Sequence, residues 1–238
     1  MPAASLEVTE LSAGYGPTRV IEDVSFSVPA GTRTVVLGRN GMGKTSLLAT
    51  LAGQTKHYHG QIKLGGEEIT GLQSSARARC GLGYVPQTRD IFPTLTVEEN
   101  LFVGLKNRSR DAIEEAYTMF PRLKERRRNL GSQLSGGEQQ MLSTARSILG
   151  RPTVLLLDEP LEGLAPVICE ELMAALTLLA DTGDMTIVLV EQRIQSALDF
   201  ADHVIVLERG KIAWSGLPKT LASDHAVVER LLGVGGLH

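Results

Sequence analysis

Three stretches of this chain are apolar at consecutive positions: Thr34-Val35-Val36-Leu37, Thr153-Val154-Leu155-Leu156-Leu157 and Thr186-Ile187-Val188-Leu189-Val190. A strand without a polar face is buried on both sides, as in a parallel sheet covered by helices. Two other stretches, Leu6-Glu7-Val8-Thr9-Glu10-Leu11 and Val24-Ser25-Phe26-Ser27-Val28, alternate apolar and polar residues. That alternation predicts antiparallel strands with one face on the core. Between them Ser12-Ala13-Gly14-Tyr15-Gly16 reads as a glycine-flanked loop carrying one aromatic. Gln61-Ile62-Lys63-Leu64 with its Gly65-Gly66 turn predicts a further hairpin strand, and Gly83-Tyr84-Val85 a short strand ended by Pro86.

Helical signals occupy the gaps. Thr96-Val97-Glu98-Glu99 matches a capping box with Thr96 as N-cap, and the chain reads as helical and polar from there to about Arg128. Ser135 and Glu138 form a second capping box. Ile168, Leu172, Ala175, Leu176 and Leu179 recur at helical spacing. Another helix follows residue 190 and runs through Leu198. His203 to Leu207 and Lys211 to Trp214, joined at Glu208-Arg209-Gly210, predict a terminal hairpin; from Pro218 the chain reads as helical with a mobile, glycine-containing end. These elements predict an α/β fold: a core with a parallel sheet, an N-terminal antiparallel β subdomain, and an α-helical subdomain of about residues 88–150 inserted in the core.

Composition narrows this little. At 238 residues, 42% apolar and 21% charged, the chain is ordinary for a globular protein built as one large domain, or as a core with a small subdomain. A net charge of −3 gives no support to nucleic acid or anionic lipid as the main partner. The one basic run, Lys124-Glu125-Arg126-Arg127-Arg128, reads as a solvated helix end. Cys80 and Cys169 have no metal-ligand spacing and read as buried thiols in a reducing cytosol. No signal peptide and no apolar run near the ~20 residues needed to span a bilayer are visible. A role at a membrane therefore requires docking onto something that spans it.

The chemistry begins at Gly38-Arg39-Asn40-Gly41-Met42-Gly43-Lys44-Thr45, followed by Ser46. It fits G-x-x-x-x-G-K-[ST] between a buried strand and a helix. Glycines let backbone N–H groups wrap closely around a polyphosphate, and the helix turns its positive end to the same anion. Lys44 would reach the β/γ-phosphates and the Thr45 hydroxyl would hold Mg²⁺. Asp158, at the end of a buried strand, is placed to help hold that cation, and Glu159 to polarise the attacking water. Tyr15, upstream of the loop, is a candidate to stack on a purine ring. Leu134-Ser135-Gly136-Gly137-Glu138-Gln139-Gln140 opens a second helix with free N–H groups, hence a second anion site. Each anion turn opens its own helix, so one chain cannot readily bring them together. Two chains placed head-to-tail can.

GRNGMGKT, the Tyr84-Val85-Pro86-Gln87 segment, LSGGEQQ and LLLDEP stand in the order and spacing of the nucleotide-binding subunits of ATP-binding cassette (ABC) transporters, which this chain resembles over nearly its whole length. The resemblance implies a single ATP-binding domain over 1–238 that hydrolyses ATP with Mg²⁺. In it, Tyr15 stacks on adenine. The loop from Gly38 through Ser46 cradles the phosphates, Thr45, Gln87 and Asp158 meet the cation, and Glu159, Lys44 and Gln192 serve catalysis. Ser135, Gly136, Gly137 and Glu138 would grip the ATP of a second ABC ATPase subunit, the same or a different chain. Residues 92–101 would dock the coupling helix of transmembrane permease subunits, placing the protein peripherally on the cytoplasmic side of the membrane. IFPTLTVEENL, FPRLKERR and GLAP look closest to importers of branched-chain or hydrophobic amino acids; urea or short-chain amide importers are similar. A lipid exporter or a soluble, non-transport ATPase are the other readings.

Two positions depart from the family pattern. Gln192 stands where many members carry a γ-phosphate-contacting His, and Ala165 where an Asp is usual. The branched-chain subgroup often carries this Gln in one of its two ATPase subunits.

Overall fold

In this computed structural model, which describes residues 2–233, the strands are β1 (Leu6–Tyr15), β2 (Thr18–Val28), β3 (Arg33–Leu37), β4 (Lys56–Leu64), β5 (Glu67–Glu68), β6 (Leu82–Val85), β7 (Val154–Asp158), β8 (Thr186–Val190), β9 (His203–Glu208) and β10 (Lys211–Gly216). The helices are α1 (Lys44–Leu51), α2 (Ser74–Arg79), α3 (Val97–Gly104), α4 (Ile113–Met119), α5 (Pro121–Glu125), α6 (Gly136–Leu149), α7 (Pro166–Asp181), α8 (Ile194–Phe200), α9 (Pro218–Ser223) and α10 (His225–Leu232). The expected glycine-containing end, apart from Gly233, lies outside the described residues. Of the two cysteines expected to be buried, Cys169 is, whereas Cys80 ends α2 at the surface and is exposed.

The consecutive apolar runs became the centre of a six-stranded sheet of order β10-β9-β3-β8-β7-β6, parallel except for the β9–β10 hairpin. Its two faces feed two cores. Val35, Leu37, Leu155, Leu157, Ile187 and Leu189 face one core with most of the helices. Val36, Val154, Leu156, Val188 and Val190 face the other, with α1 and the second sheet. The alternating stretches form that second sheet, antiparallel, of order β2-β1-β4-β5. Its buried positions, Leu6, Val8, Val24 and Ile62 among them, close over α1.

Three differences from the sequence reading have physical causes. The segment expected as a loop at 12–16 is strand through Tyr15, pairing with β2 and β4 across register shifts. Its glycine is there for close approach, since a Cβ on Gly14 would lie 2.0 Å from the Thr18 carbonyl oxygen. The helical stretch after Thr96 is broken. α3 keeps its capping box, but Pro121 starts α5 and separates it from α4. Together with α6 these short helices lie between β6 and β7 and share the core of the adjoining sheet face, with no separate core of their own.

The third difference is α2, which has no apolar period and was not anticipated. It is held by Arg77, 3% exposed, whose guanidinium donates to four carbonyls: Thr50 (2.8 Å), Leu51 (2.8 Å), Thr70 (2.6 Å) and Leu72 (3.0 Å). Thr50 and Leu51 close the last turn of α1, where orphan carbonyls and the negative helix end favour a cation. Burial draws the Arg77 pKa down. A guanidinium starts so high that it stays charged.

Candidate active site

β3 delivers the chain to Gly38, which stands at φ +155° with the Leu207 carbonyl oxygen 2.5 Å from where a Cβ would be. The loop ends at Gly43, the left-handed residue (φ 99°) that opens α1. The β9–β10 turn holds it from behind: Gly210 N–H donates to the Met42 carbonyl (2.9 Å) and Arg209 N–H reaches Met42 Sδ (3.4 Å). At the head of α1, Lys44 is 4% exposed. Its Nζ donates to the carbonyls of Gly38 (2.9 Å) and Arg39 (3.2 Å) and pairs with Glu159 Oε1 at 3.3 Å.

β7 supplies the acids. Asp158 is fully buried, accepting from Thr45 Oγ1 (3.2 Å) and the Tyr84 hydroxyl (3.4 Å). Burial, reinforced by the charge of Glu159 and opposed by the Thr45 hydrogen bond, pushes its pKa up to about 6. The same carboxylate pushes the Tyr84 phenol upward, burial being the larger cause. Glu159 leaves the strand at φ 46°, a left-handed conformation unusual for a side chain with a Cβ. Its N–H donates to the Val190 carbonyl at 2.9 Å. The turned carboxylate meets Lys44 through Oε1 and accepts from Gln192 Nε2 (2.5 Å) and Gln87 Nε2 (3.3 Å) through Oε2. Gln87 Nε2 also donates to Glu162. Behind them Glu191, 2% exposed, accepts from the N–H groups of Leu161 (3.0 Å) and Gln192 (3.1 Å), fixing both loops. Burial raises its pKa.

The result is a cavity of about 310 Å³. Asn40, Gly41, Gly43, Lys44, Thr45, Ser46, Gln87, Glu159 and Gln192, all expected from sequence, line it, with Asp158 hydrogen-bonded to Thr45. Val20 and Glu162 line it too and were not expected as site residues; Val20 belongs to no motif, and Glu162 lies in the loop after Glu159 where Ala165 replaces the usual Asp. Gly38, Arg39 and Met42 line a neighbouring cavity of about 550 Å³ that shares Asn40 and Gln192 with the first. Tyr15, 50% exposed, ends β1 outside the cavity lining.

The second anion turn is elsewhere, and none of its residues lines the cavity of Lys44. Ser135 Oγ accepts from Glu138 N–H (3.3 Å) and Glu138 Oε2 from Ser135 N–H (2.8 Å), a closed capping box on α6. Both glycines have packing reasons as well. A Cβ on Gly136 would meet the Arg89 guanidinium at 2.9 Å, and one on Gly137 would meet Ile168 of α7 at 2.8 Å.

A strand-loop-helix that turns backbone and lysine inward, opposite two acids and a glutamine on the next strand ends, is built to receive a polyphosphate and a water. The profile of the family described as ABC transporter matches residues 21–162. The chain belongs to the ABC transporter family and is an ABC ATPase. It is 39% identical over 96% of its length, and 99% of the relative's, to the high-affinity branched-chain amino acid transport ATP-binding protein BraG of Pseudomonas aeruginosa. The probable branched-chain amino acid transport ATP-binding protein LivF of Archaeoglobus fulgidus is 36% identical, covering 95% of this chain and 97% of that one. The lipopolysaccharide export system ATP-binding protein LptB of Haemophilus influenzae is 32% identical over 96% of this chain and 97% of its own. In three dimensions, a nucleotide-free ATP-binding cassette of an ABC transporter superposes with a TM-score of 0.82 at 23% identity, covering 98% of this chain and 99% of that one. A bacterial cassette solved as a dimer gives 0.81 at 22% identity, over 90% and 98%. The α/β cassette fold expected from sequence is thereby shown.

Proposed function

We propose that this ABC ATPase powers uptake of branched-chain or other hydrophobic amino acids through separate membrane subunits. The observation that carries the solute class is the 36–39% identity, over nearly the whole chain, to two proteins named for branched-chain amino acid transport. Relatedness at 32% to an export ATPase makes lipid export the second reading. No described helix is long and apolar enough to cross a membrane. In this reading the chain works peripherally, on the cytoplasmic face of permease subunits that dock near Phe92, which is 43% exposed.

In the site, Lys44 and the N–H groups of residues 40–46 bind the β/γ-phosphates. Glu159, as general base, takes a proton from the attacking water at one of its carboxylate oxygens, which Lys44, Gln87 and Gln192 hold in place. Tyr15 offers its exposed ring to adenine, and Gly38, Arg39 and Met42 set the backbone of the loop. Among the described residues no group of three or more His, Cys, Asp or Glu forms an all-protein metal cage. One buried carboxylate beside a hydroxyl is instead the donor set of a cation shared with a nucleotide. Thr45, Asp158 and the Gln87 carbonyl oxygen would hold Mg²⁺, which neutralises phosphate charge when bound. The turn at Ser135, Gly136, Gly137 and Glu138, outside the lining of its own chain's cavity, completes the nucleotide site of a second ATPase subunit.

Gln192 replaces a titratable His with an amide that donates without titrating. Gln192→Ala is expected to lower steady-state phosphate release about 10²-fold with little change in KM for ATP. Gln192→His should retain most of the rate. Equal kinetics of Gln192→Ala and the parent would remove Gln192 from the mechanism. The function itself is tested by affinity capture of tagged protein from gently solubilised membranes, with mass spectrometry. Permease subunits and a second ATPase carrying a signature turn are expected. Recovery of the bait alone, or of ribosomal proteins, would overturn the transport reading.

A further inference from the structure

Glu162 is an acid where an acid is electrostatically unwelcome. It lines the same cavity as Lys44, the one basic residue of that lining, and Glu159. A cavity that receives a polyphosphate gains no attraction from a further carboxylate. Its one side-chain hydrogen bond among the described residues supplies a reason for it. Gln87 Nε2 donates to Oε2 of Glu162 and, at 3.3 Å, to Oε2 of Glu159.

A primary amide carries its two donors on nitrogen and its acceptor lone pairs on oxygen. With the nitrogen turned to two carboxylates, the carbonyl oxygen of Gln87 is turned away from them. The opposite facing would set that oxygen against two carboxylate oxygens, losing both hydrogen bonds and adding repulsion. Glu159 alone holds the amide weakly: the bond from Gln87 is long, 3.3 Å, on the oxygen that also accepts a 2.5 Å bond from Gln192. Glu162 is itself held in register. Its N–H donates to the Glu159 carbonyl at 3.1 Å, and the preceding N–H, of Leu161, donates to buried Glu191.

We propose that Glu162 is a positioning residue that fixes which way the Gln87 amide faces, presenting the Gln87 carbonyl oxygen as a ligand to the divalent cation of a bound nucleotide. The proposal rests on the ATPase reading of the site, in which Gln87 meets that cation. It separates two effects of Glu162. As a charge, Glu162 weakens nucleotide binding. As an anchor for Gln87, it strengthens the dependence of that binding on metal.

The test measures the affinity of AMP-PNP by calorimetry, with and without Mn²⁺, for the parent protein, Glu162→Ala and Glu162→Gln. Glu162 is exposed, so both variants are expected to fold, and thermal unfolding checks this. Outer ligands of a metal site typically change metal affinity 10–100-fold. Glu162→Ala is accordingly expected to lose about tenfold of the Mn²⁺-dependent gain in affinity, while its metal-free affinity stays equal or tightens. Glu162→Gln keeps an oxygen that accepts from Gln87 and should keep most of the gain. A full Mn²⁺ gain in Glu162→Ala overturns the proposal. So does an equal loss in both variants, which assigns the effect to charge. Failure of the parent protein to bind AMP-PNP at all would instead sink the ATPase reading, and the proposal with it.

Discussion

Glu159→Gln is expected to lower phosphate release by about 10²–10⁴-fold, the usual contribution of a positioned general base, while ATP binding persists. The amide has nearly the shape of the carboxylate but keeps one oxygen, so either Lys44 or the Gln87–Gln192 pair retains its acceptor, and the nitrogen cannot take a proton from water. Removing one of the acids around Lys44 also relieves repulsion with the incoming phosphates. If the signature turn of a second subunit completes the site, the variant accumulates as an ATP-bound dimer. Size-exclusion chromatography under saturating ATP with Mg²⁺ reads this directly. Hydrolysis within threefold of the parent would remove Glu159 as the base. A monomer under saturating ATP would count against the shared site.

The second large effect is on stability and lies away from the chemistry. Arg77→Met leaves the carbonyls of Thr50, Leu51, Thr70 and Leu72 without their common donor inside the protein. A buried acceptor that loses its partner costs about 1–3 kcal/mol, and neighbours relax together, so the whole is expected to be about 3–4 kcal/mol. For a chain of this size that lowers Tm by roughly 10 °C. Arg77→Lys should recover only part, because an ammonium cannot spread its donors across a planar fork. Urea unfolding of the three proteins decides it. A loss under 1 kcal/mol in Arg77→Met would mean that water replaces the guanidinium without difficulty.

The sheet was legible because burial on two faces and burial on one leave different patterns in a strand. The capping boxes at Thr96 and Ser135 were legible because cap chemistry is local. Arg77 was not: Ser-Ser-Ala-Arg-Ala-Arg has no apolar period, and α2 exists through contacts with α1 that no window of sequence contains. Ser12 to Tyr15 misled for a related reason, since small residues that signal a loop are also what a strand needs when another backbone passes close. At the site, Gly41, Lys44, Thr45, Asp158 and Glu159 could be named in advance because phosphate chemistry constrains type and spacing together, whereas Gln192 was named only through the family resemblance. Glu162 could not. Its place follows from the left-handed turn at Glu159 and the buried anchor at Glu191, both products of the folded chain.

The position of β3 bears on how the protein is made. β3 is formed by residues 33–37, yet its two neighbours, β8 and β9, come from the final quarter of the chain. The turn that grips Met42 comes later still. A nascent chain emerging from the ribosome therefore carries its phosphate loop without its neighbouring strands until residues 186–210 have been synthesised. Contacts of such long sequence separation form slowly. The apolar strand leading into that loop waits unpaired meanwhile, a natural client for a chaperone.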